Sequence, residues 1–199
     1  MVIDYTNLLI LDCQMTLWDP EENKSNNTPL EIIKVDVALV DTAKGQVSEH
    51  ETIYVKPIKA VITPYCENAY GISKATIEKE GVSFQEMYRR LRIHYMSRDR
   101  MWACWGTFDP YVLEKQSKAL ELEHLFYHQS TDIRELFSLM TGATNEPTCR
   151  TALKQIDQKP VNNNAINIAT VFLAMTKGLR PPPTPVRRIV VPGHFSKSN

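Results

Sequence analysis

Leu8-Leu9-Ile10-Leu11-Asp12-Cys13-Gln14 is the stretch whose reading decides the fold of this chain. Four consecutive aliphatic side chains leave no polar face for water, so Leu8–Leu11 reads as a strand buried on both sides. The run then ends in the polar Asp12-Cys13-Gln14. A carboxylate at the C-terminal end of a buried strand lies where α/β folds present ligands. Working outward, Pro20–Thr28 is polar and Asn-rich and reads as a surface loop. Ile32–Asp41 alternates, with Ile33, Val35, Val37 and Leu39 set against Lys34, Asp36, Ala38 and Val40, as expected of a half-buried strand. Ala43-Lys44-Gly45-Gln46 supplies a turn and Thr52–Lys56 a returning strand, so these segments predict an antiparallel meander laid on the first strand.

The second half of the chain is mainly helical in pattern. Ser83 and Glu86 form a capping box that opens a helix running to about Tyr95. Met101–Trp105 reads as a short strand closed by Gly106, and a helix follows from Pro110 to about Leu122. Asp132–Met140 predicts another helix, capped by Ser130 or Thr131. A last helix covers about Ala165–Thr176, with Ile168, Val171, Phe172 and Met175 on one face and Gly178 at its stop. Strands first and alternating helices afterwards point to an α/β sheet with helices on its faces. Residues 1–178 read as one domain, and 179–199 as a Pro-rich basic tail without Asp or Glu. Arg180, Arg187, Arg188 and Lys197 of that tail suit either a phosphate or partner contact or a solvated arm.

Composition narrows the function classes. The 199 residues are 43% hydrophobic and 23% charged, a balance that suits a globular domain with a sizeable core. Lys+Arg and Asp+Glu both number 23, so net charge by itself demands no polyanionic partner. Cys13, Cys66, Cys104 and Cys149 are scattered with no C-x-x-C pair, which argues against a zinc ribbon or a disulfide framework and sets a reducing cytoplasm as the expectation. No basic leader opens the chain and no apolar run approaches the roughly 18 residues of a membrane span, so no membrane partner is expected.

Chemistry-bearing residues are few. Asp109, in Trp105-Gly106-Thr107-Phe108-Asp109, follows the Met101–Trp105 strand as Asp12 follows the first one. Two adjacent strand ends would bring these carboxylates together as hard oxygen ligands for Mg²⁺ or Mn²⁺. The alternative is that each Asp starts a turn or caps a helix. His124 and His128 have the spacing of helical metal ligands, but no third ligand accompanies them, which favours a surface or loop role. Trp18 and Phe108 lie near the presumed cleft and are candidates for stacking on bases. Trp102 alternates with Cys104 and reads as core.

Several segments together resemble the DEDDh 3′–5′ exonucleases, in the branch of the histone-mRNA and RNA-interference 3′ exonucleases and a sporulation-kinase inhibitor. Leu9–Trp18 is similar to the family's first motif, and Glu31–Asp41 to its second strand. Tyr54-Val55-Lys56-Pro57, Tyr65-Cys66 and Gly71-Ile72-Ser73 are similar to its V-x-P, F-C and G-I-T segment. Trp105–Asp109 resembles W-G-x-x-D, Asp132-Ile133 the start of the following helix, and Asn164–Ala169 the D-A-R-N-I-A motif. The likeness runs in order over about residues 8–178. It implies an RNase H-like fold: a mixed five-stranded sheet, three antiparallel strands then two parallel ones, flanked by helices.

The resemblance also implies a site of four carboxylates and one histidine, and this sequence keeps only part of it. Asp12 and Asp109 are retained, while the family's Glu is Gln14 and its last Asp is Asn164. The general-base histidine falls at Lys159, in a segment from Leu153 to Asn164 that is shorter than the family's. Amides keep shape and a carbonyl oxygen but remove two negative charges, so Asp12 and Asp109 alone would hold a divalent ion weakly. Lys159, protonated, accepts no proton, and loss of a general base costs about 10²–10⁴-fold in rate. The expectation is therefore a degenerate exonuclease that needs no cofactor and binds single-stranded nucleic acid or a protein partner. The alternative is a weak 3′–5′ exonuclease that uses Mg²⁺ or Mn²⁺.

Overall fold

A computed structural model of the chain describes residues 4–21 and 30–177. Its sheet contains β1 (Asp4–Met15), β2 (Ile32–Asp41), β3 (Gln46–Tyr54), β4 (Arg100–Cys104) and β5 (Thr131–Asp132) in the spatial order β3-β2-β1-β4-β5. β1 pairs antiparallel with β2 and parallel with β4, β2 pairs antiparallel with β3, and β4 pairs parallel with β5. This is the expected mixed sheet of three antiparallel and two parallel strands. Among the described residues the helices are α1 (Pro64–Tyr70), α2 (Lys74–Glu80), α3 (Phe84–Ile93), α4 (Phe108–Ala119), α5 (Ile133–Thr141), α6 (Cys149–Gln155) and α7 (Asn164–Thr176). No helix among them is long and apolar enough to cross a membrane. The tail beyond Lys177, Gly178 included, and most of the Pro20–Thr28 loop lie outside the described residues.

Strand alternation divides the core into two layers. Leu9, Leu11 and Cys13 of β1, Val35 and Val37 of β2 and Trp102 and Cys104 of β4 pack with Phe84, Met87 and Leu91 of α3 and with Val112 and Leu113 of α4. Leu8 and Ile10, Ala38 and Val40, and Ala103 face the other way, onto Ala165, Ile168 and Ala169 of α7. α5 and α6 close that second layer by packing Phe137, Ala152 and Leu153 around Val171 of α7. α7 therefore lies directly over the face of β1 and β2 that carries their polar residues.

Four sequence expectations need correction. β2 is buried on both faces from Ile32 to Val40, not half-buried, because β1 and β3 flank it and helices cover both sides. Its Lys34 and Asp36, set out by alternation as a solvent face, are enclosed. β3 runs over Gln46–Tyr54 rather than Thr52–Lys56; its exposed edge, with Glu49 and Glu51, carries no apolar alternation to mark it. The cap of α5 is Asp132, not Ser130 or Thr131: its carboxylate accepts from the Glu135 N–H at 3.1 Å and from the Gly106 N–H at 2.9 Å. α4 starts at Phe108, two positions before the expected Pro110, and ends at Ala119. α1, α2 and α6 are each seven residues long, too short for an apolar period to stand out, though Thr63, Ser73 and Thr148 cap them.

Asp132 joins the end of β5, the start of α5 and the Gly106 turn, so its carboxylate has more than a local role. Asp132→Ala is expected to destabilise the fold by about 1–2 kcal/mol, seen as a drop in Tm of roughly 2–8 °C for a chain of this length. Thermal unfolding followed by circular dichroism measures it.

Candidate functional site

On the α7 face of β1, alternation carries Leu8 and Ile10 into Asp12 and Gln14. Their antiparallel partners on β2 are Asp36 opposite Asp12 and Lys34 opposite Gln14. On the other side of β1, the parallel strand β4 ends at Cys104 and the chain turns through Gly106. Gly106 has φ +94, a backbone conformation that L side chains rarely adopt, so the turn suits glycine. The turn places Asp109 in the first turn of α4, where its Oδ2 accepts from the Cys13 backbone N–H at 3.1 Å. The structure thus brings Asp12 and Asp109, 97 positions apart in sequence, to one strand end.

Asp36 organises the face beside them. Its Oδ2 accepts from the Lys34 ammonium at 2.8 Å and from the Asn164 backbone N–H at 2.8 Å, and its Oδ1 from the Thr52 hydroxyl at 2.6 Å. Asn164 then donates from its side-chain Nδ2 to Asp12 Oδ2 at 3.0 Å and accepts at Oδ1 from Asn167 Nδ2 at 3.3 Å. Asn163, the cap of α7, donates to the Glu51 carbonyl at 2.9 Å. Sequence reasoning missed Lys34 and Asp36 as members of this site. The signal was present in their same-face spacing on β2, but only the cross-strand register sets them opposite Gln14 and Asp12.

The electrostatics of the pair are set by burial. Desolvation raises Asp12 to about 6; the Asn164 hydrogen bond opposes that rise, Asp36 adds to it and Lys34 opposes it. Desolvation, followed by repulsion from Asp12, raises Asp109 to about 7 against the Cys13 N–H hydrogen bond. Two neighbouring half-buried carboxylates share the penalty of charge.

These residues do not fit a divalent cation. One oxygen of Asp12 already receives an amide N–H from Asn164, and Lys34 places a buried positive charge within reach of the same carboxylate. Gln14 Oε1 is buried with no hydrogen-bond partner among the described residues, leaving one neutral oxygen where a charged ligand would be needed. Among the described residues no group of three or more His, Cys, Asp or Glu side chains is placed to hold a metal. Lys159 is exposed in the segment between α6 and α7.

Around this centre lie the aromatic candidates. Trp18 is half-buried just beyond β1. Phe108 is 53% exposed and its ring neighbour is Tyr111, 55% exposed, with centroids 6.3 Å apart and planes 30° from parallel. Lys115 Nζ lies 5.6 Å from the Tyr111 ring centroid, so Phe108, Tyr111 and Lys115 form one open stripe of α4. Tyr111 and Lys115 were not singled out in the sequence, although their helical spacing from Phe108 was legible. His124 and His128 lie in the irregular segment after α4, so their spacing of four is not that of a helix face. Trp102 is buried, stacked on Phe126 at 3.7 Å, and its Nε1 donates to the His128 carbonyl at 2.7 Å.

No protein-family model matches this sequence, and no curated protein matches it. Solved structures do share its fold. The nuclease domain of 3′hExo, a DEDDh family member bound to rAMP, superposes with a TM-score of 0.72 at 18% identity, over 87% of this chain and 92% of that one. Cell-death related nuclease 4 gives 0.71 at 19% identity, over 87% of this chain and 64% of its own. A product-bound exonuclease I gives 0.67 at 13% identity, over 89% of this chain and 44% of its own. The chain therefore has the architecture of the DEDDh exonucleases.

Because Asp12 and Asp109 hold protons in the folded chain that the unfolded chain releases near pH 4, these two groups make stability fall as pH rises from about 4 through about 7. Asp109→Asn keeps an oxygen for the Cys13 N–H and removes the repulsion. It is expected to raise Tm at pH 8 by roughly 2–8 °C, the equivalent of about 1–2 kcal/mol, with little change at pH 4. Melting curves across that range test both halves.

Proposed function

We propose that this chain is a degenerate DEDDh exonuclease that holds single-stranded nucleic acid at its cleft without hydrolysing it. The observation that carries this reading is the Asn164 amide bonded to Asp12 beside the buried Lys34–Asp36 pair. In that arrangement the one ammonium is paired with Asp36 and one oxygen of Asp12 is taken by an amide, which leaves less of the site free for a metal ion that would activate water. The position that would carry the general base is an exposed lysine, Lys159.

Binding is supported by the open Phe108–Tyr111–Lys115 stripe, which begins one residue from Asp109. Aromatic faces beside a cation accept stacked bases with little sequence preference. Trp18 is a further candidate on the β1 side of the cleft. The fold is also that of a nuclease domain bound to rAMP. The four thiols are free, three of them buried, and suit a reducing cytoplasm. A second reading, a protein-interaction module, rests on α5, where Leu136, Leu139 and Met140 are 38%, 74% and 58% exposed on one short helix.

Incubating 3′-labelled single-stranded RNA and DNA with the protein and Mn²⁺ or Mg²⁺ is expected to give no shortened product, and Asp12→Ala no change. Cleavage that Asp12→Ala abolishes would establish the weak-exonuclease alternative instead. In parallel, fluorescence anisotropy with the same strands is expected to show binding that weakens with added salt. Tyr111→Ala should reduce affinity about fivefold or more. Strands that fail to bind at low salt would sink the nucleic-acid reading and leave the α5 face as the one to probe.

A further inference from the structure

One edge of the sheet is long and open. β3 has β2 on one side and no strand on the other among the described residues, whereas the opposite edge, β5, is only two residues long. In an antiparallel pair, alternate residues turn their N–H and C=O groups toward the partner strand, and the residues between turn theirs away. Val55 donates inward to the Ile33 carbonyl at 2.8 Å. On the outer side Val82 donates to the Tyr54 carbonyl at 2.9 Å, and Lys56 to the Val82 carbonyl at 2.8 Å. Counting back by twos from Tyr54, the backbone groups of Thr52 and His50 also face outward. Both residues are exposed, and among the described residues no backbone of another element bonds their outer groups. Val82 closes the edge beyond Thr52, and a register shift at Leu39/Val40 interrupts it before Ser48.

The open stretch reads alike in both directions. Ser48-Glu49-His50-Glu51-Thr52 runs hydroxyl, carboxylate, imidazole, carboxylate, hydroxyl, and its centre, His50, is a residue whose backbone faces outward. A second copy turned about a two-fold axis at His50 and set antiparallel would exchange N–H···O=C bonds with it there. Ser48 of each copy would stand opposite Thr52 of the other. Glu49 would stand opposite Glu51 of the second copy, a like-charge pairing that is unfavourable when bare. These carboxylates are not bare: Arg90 Nη1 donates to Glu51 Oε1 at 2.8 Å, and His94 Nε2 is hydrogen-bonded to Glu49 Oε1. Beside them Ile93, 65% exposed at the end of α3, lines the groove along this edge and offers an apolar contact.

We propose that this chain self-associates through β3, two copies joining their sheets edge to edge about a two-fold axis at His50. Self-complementarity is what such an isologous contact requires, and pairing satisfies the backbone groups that an open edge exposes. The interface is separate from the strand-end cleft and stands whatever that cleft binds.

Sedimentation velocity of the full chain, from micromolar to submillimolar concentration, is expected to show monomer giving way to a species of twice its mass. His50→Pro removes the central N–H without costing a bond to β2, as Pro is tolerated on an edge strand when its nitrogen faces outward. It should raise the dissociation constant about tenfold or more and leave the far-UV circular dichroism unchanged. Cross-linking reads the register independently. In His50→Cys the new thiol faces its own copy, within reach of a disulfide. In Ser48→Cys the two new thiols lie four residues apart along the strands, roughly 13 Å, too far to bridge. Mild oxidation should therefore give covalent dimers of His50→Cys and none of Ser48→Cys or the parent chain. A chain that stays monomeric throughout, a dimer unmoved by His50→Pro, or Ser48→Cys linking as readily as His50→Cys would each overturn the assignment.

Discussion

Asp36 is fully enclosed in β2, and a carboxylate in that position is tolerable only because three donors converge on it. Lys34 supplies the charge, Thr52 a hydroxyl from β3, and Asn164 the first free N–H of α7. The last of these is the type of group that a helix N-terminus leaves without an intrahelical partner. One side chain thus fastens the middle of the antiparallel half of the sheet to its edge strand and to the helix that covers it. Removing one member of a buried ion pair strands the other, at a cost of about 3–5 kcal/mol. The same pair contributes little net stability compared with well-packed apolar residues; what it specifies is how β2, β3 and α7 fit together.

That fastening also shapes the candidate site. Asn164 uses its backbone on Asp36 and its side chain on Asp12, so the residue that positions α7 also occupies one oxygen of the strand-end carboxylate. Asp109 reaches the same place from β4 through the Gly106 turn and the Cys13 N–H. The result is a polar face in which Asp36 is paired from within while Asp12 and Asp109 repel each other. Around it lies the architecture that the solved DEDDh exonucleases share. On the opposite face, Trp102 stacks on Phe126 and donates to the His128 carbonyl.

Much of this was legible from residue order. The Leu8–Leu11 run marks a strand buried on both faces, and Asp12 stands where that apolar run gives way to polar residues. Ser83 with Glu86 marks the start of α3, and the apolar face of Ala165–Thr176 marks α7. Asp12, Gln14, Asp109 and Asn164, which the structure gathers at the end of β1, were picked out by motif resemblance, because those motifs tie residue type to position in the chain. Short helices such as α1, α2 and α6 carry too few turns for a period to emerge, although their Thr and Ser caps were in view.

By itself, then, the sequence determined β1, β2, β4 and the longer helices, and which carboxylates and amides stand at their ends. Those properties are local: they follow from periodicity, capping and residue identity over a few turns. Tertiary structure alone decided that Lys34 and Asp36 belong to the site and that Asn164 spans two carboxylates. Each of these depends on cross-strand register or on a helix laid over a sheet. Register shifted by one residue would turn Lys34 and Asp36 to the opposite face, and nothing within the ten residues of β2 records which partner stands across from them.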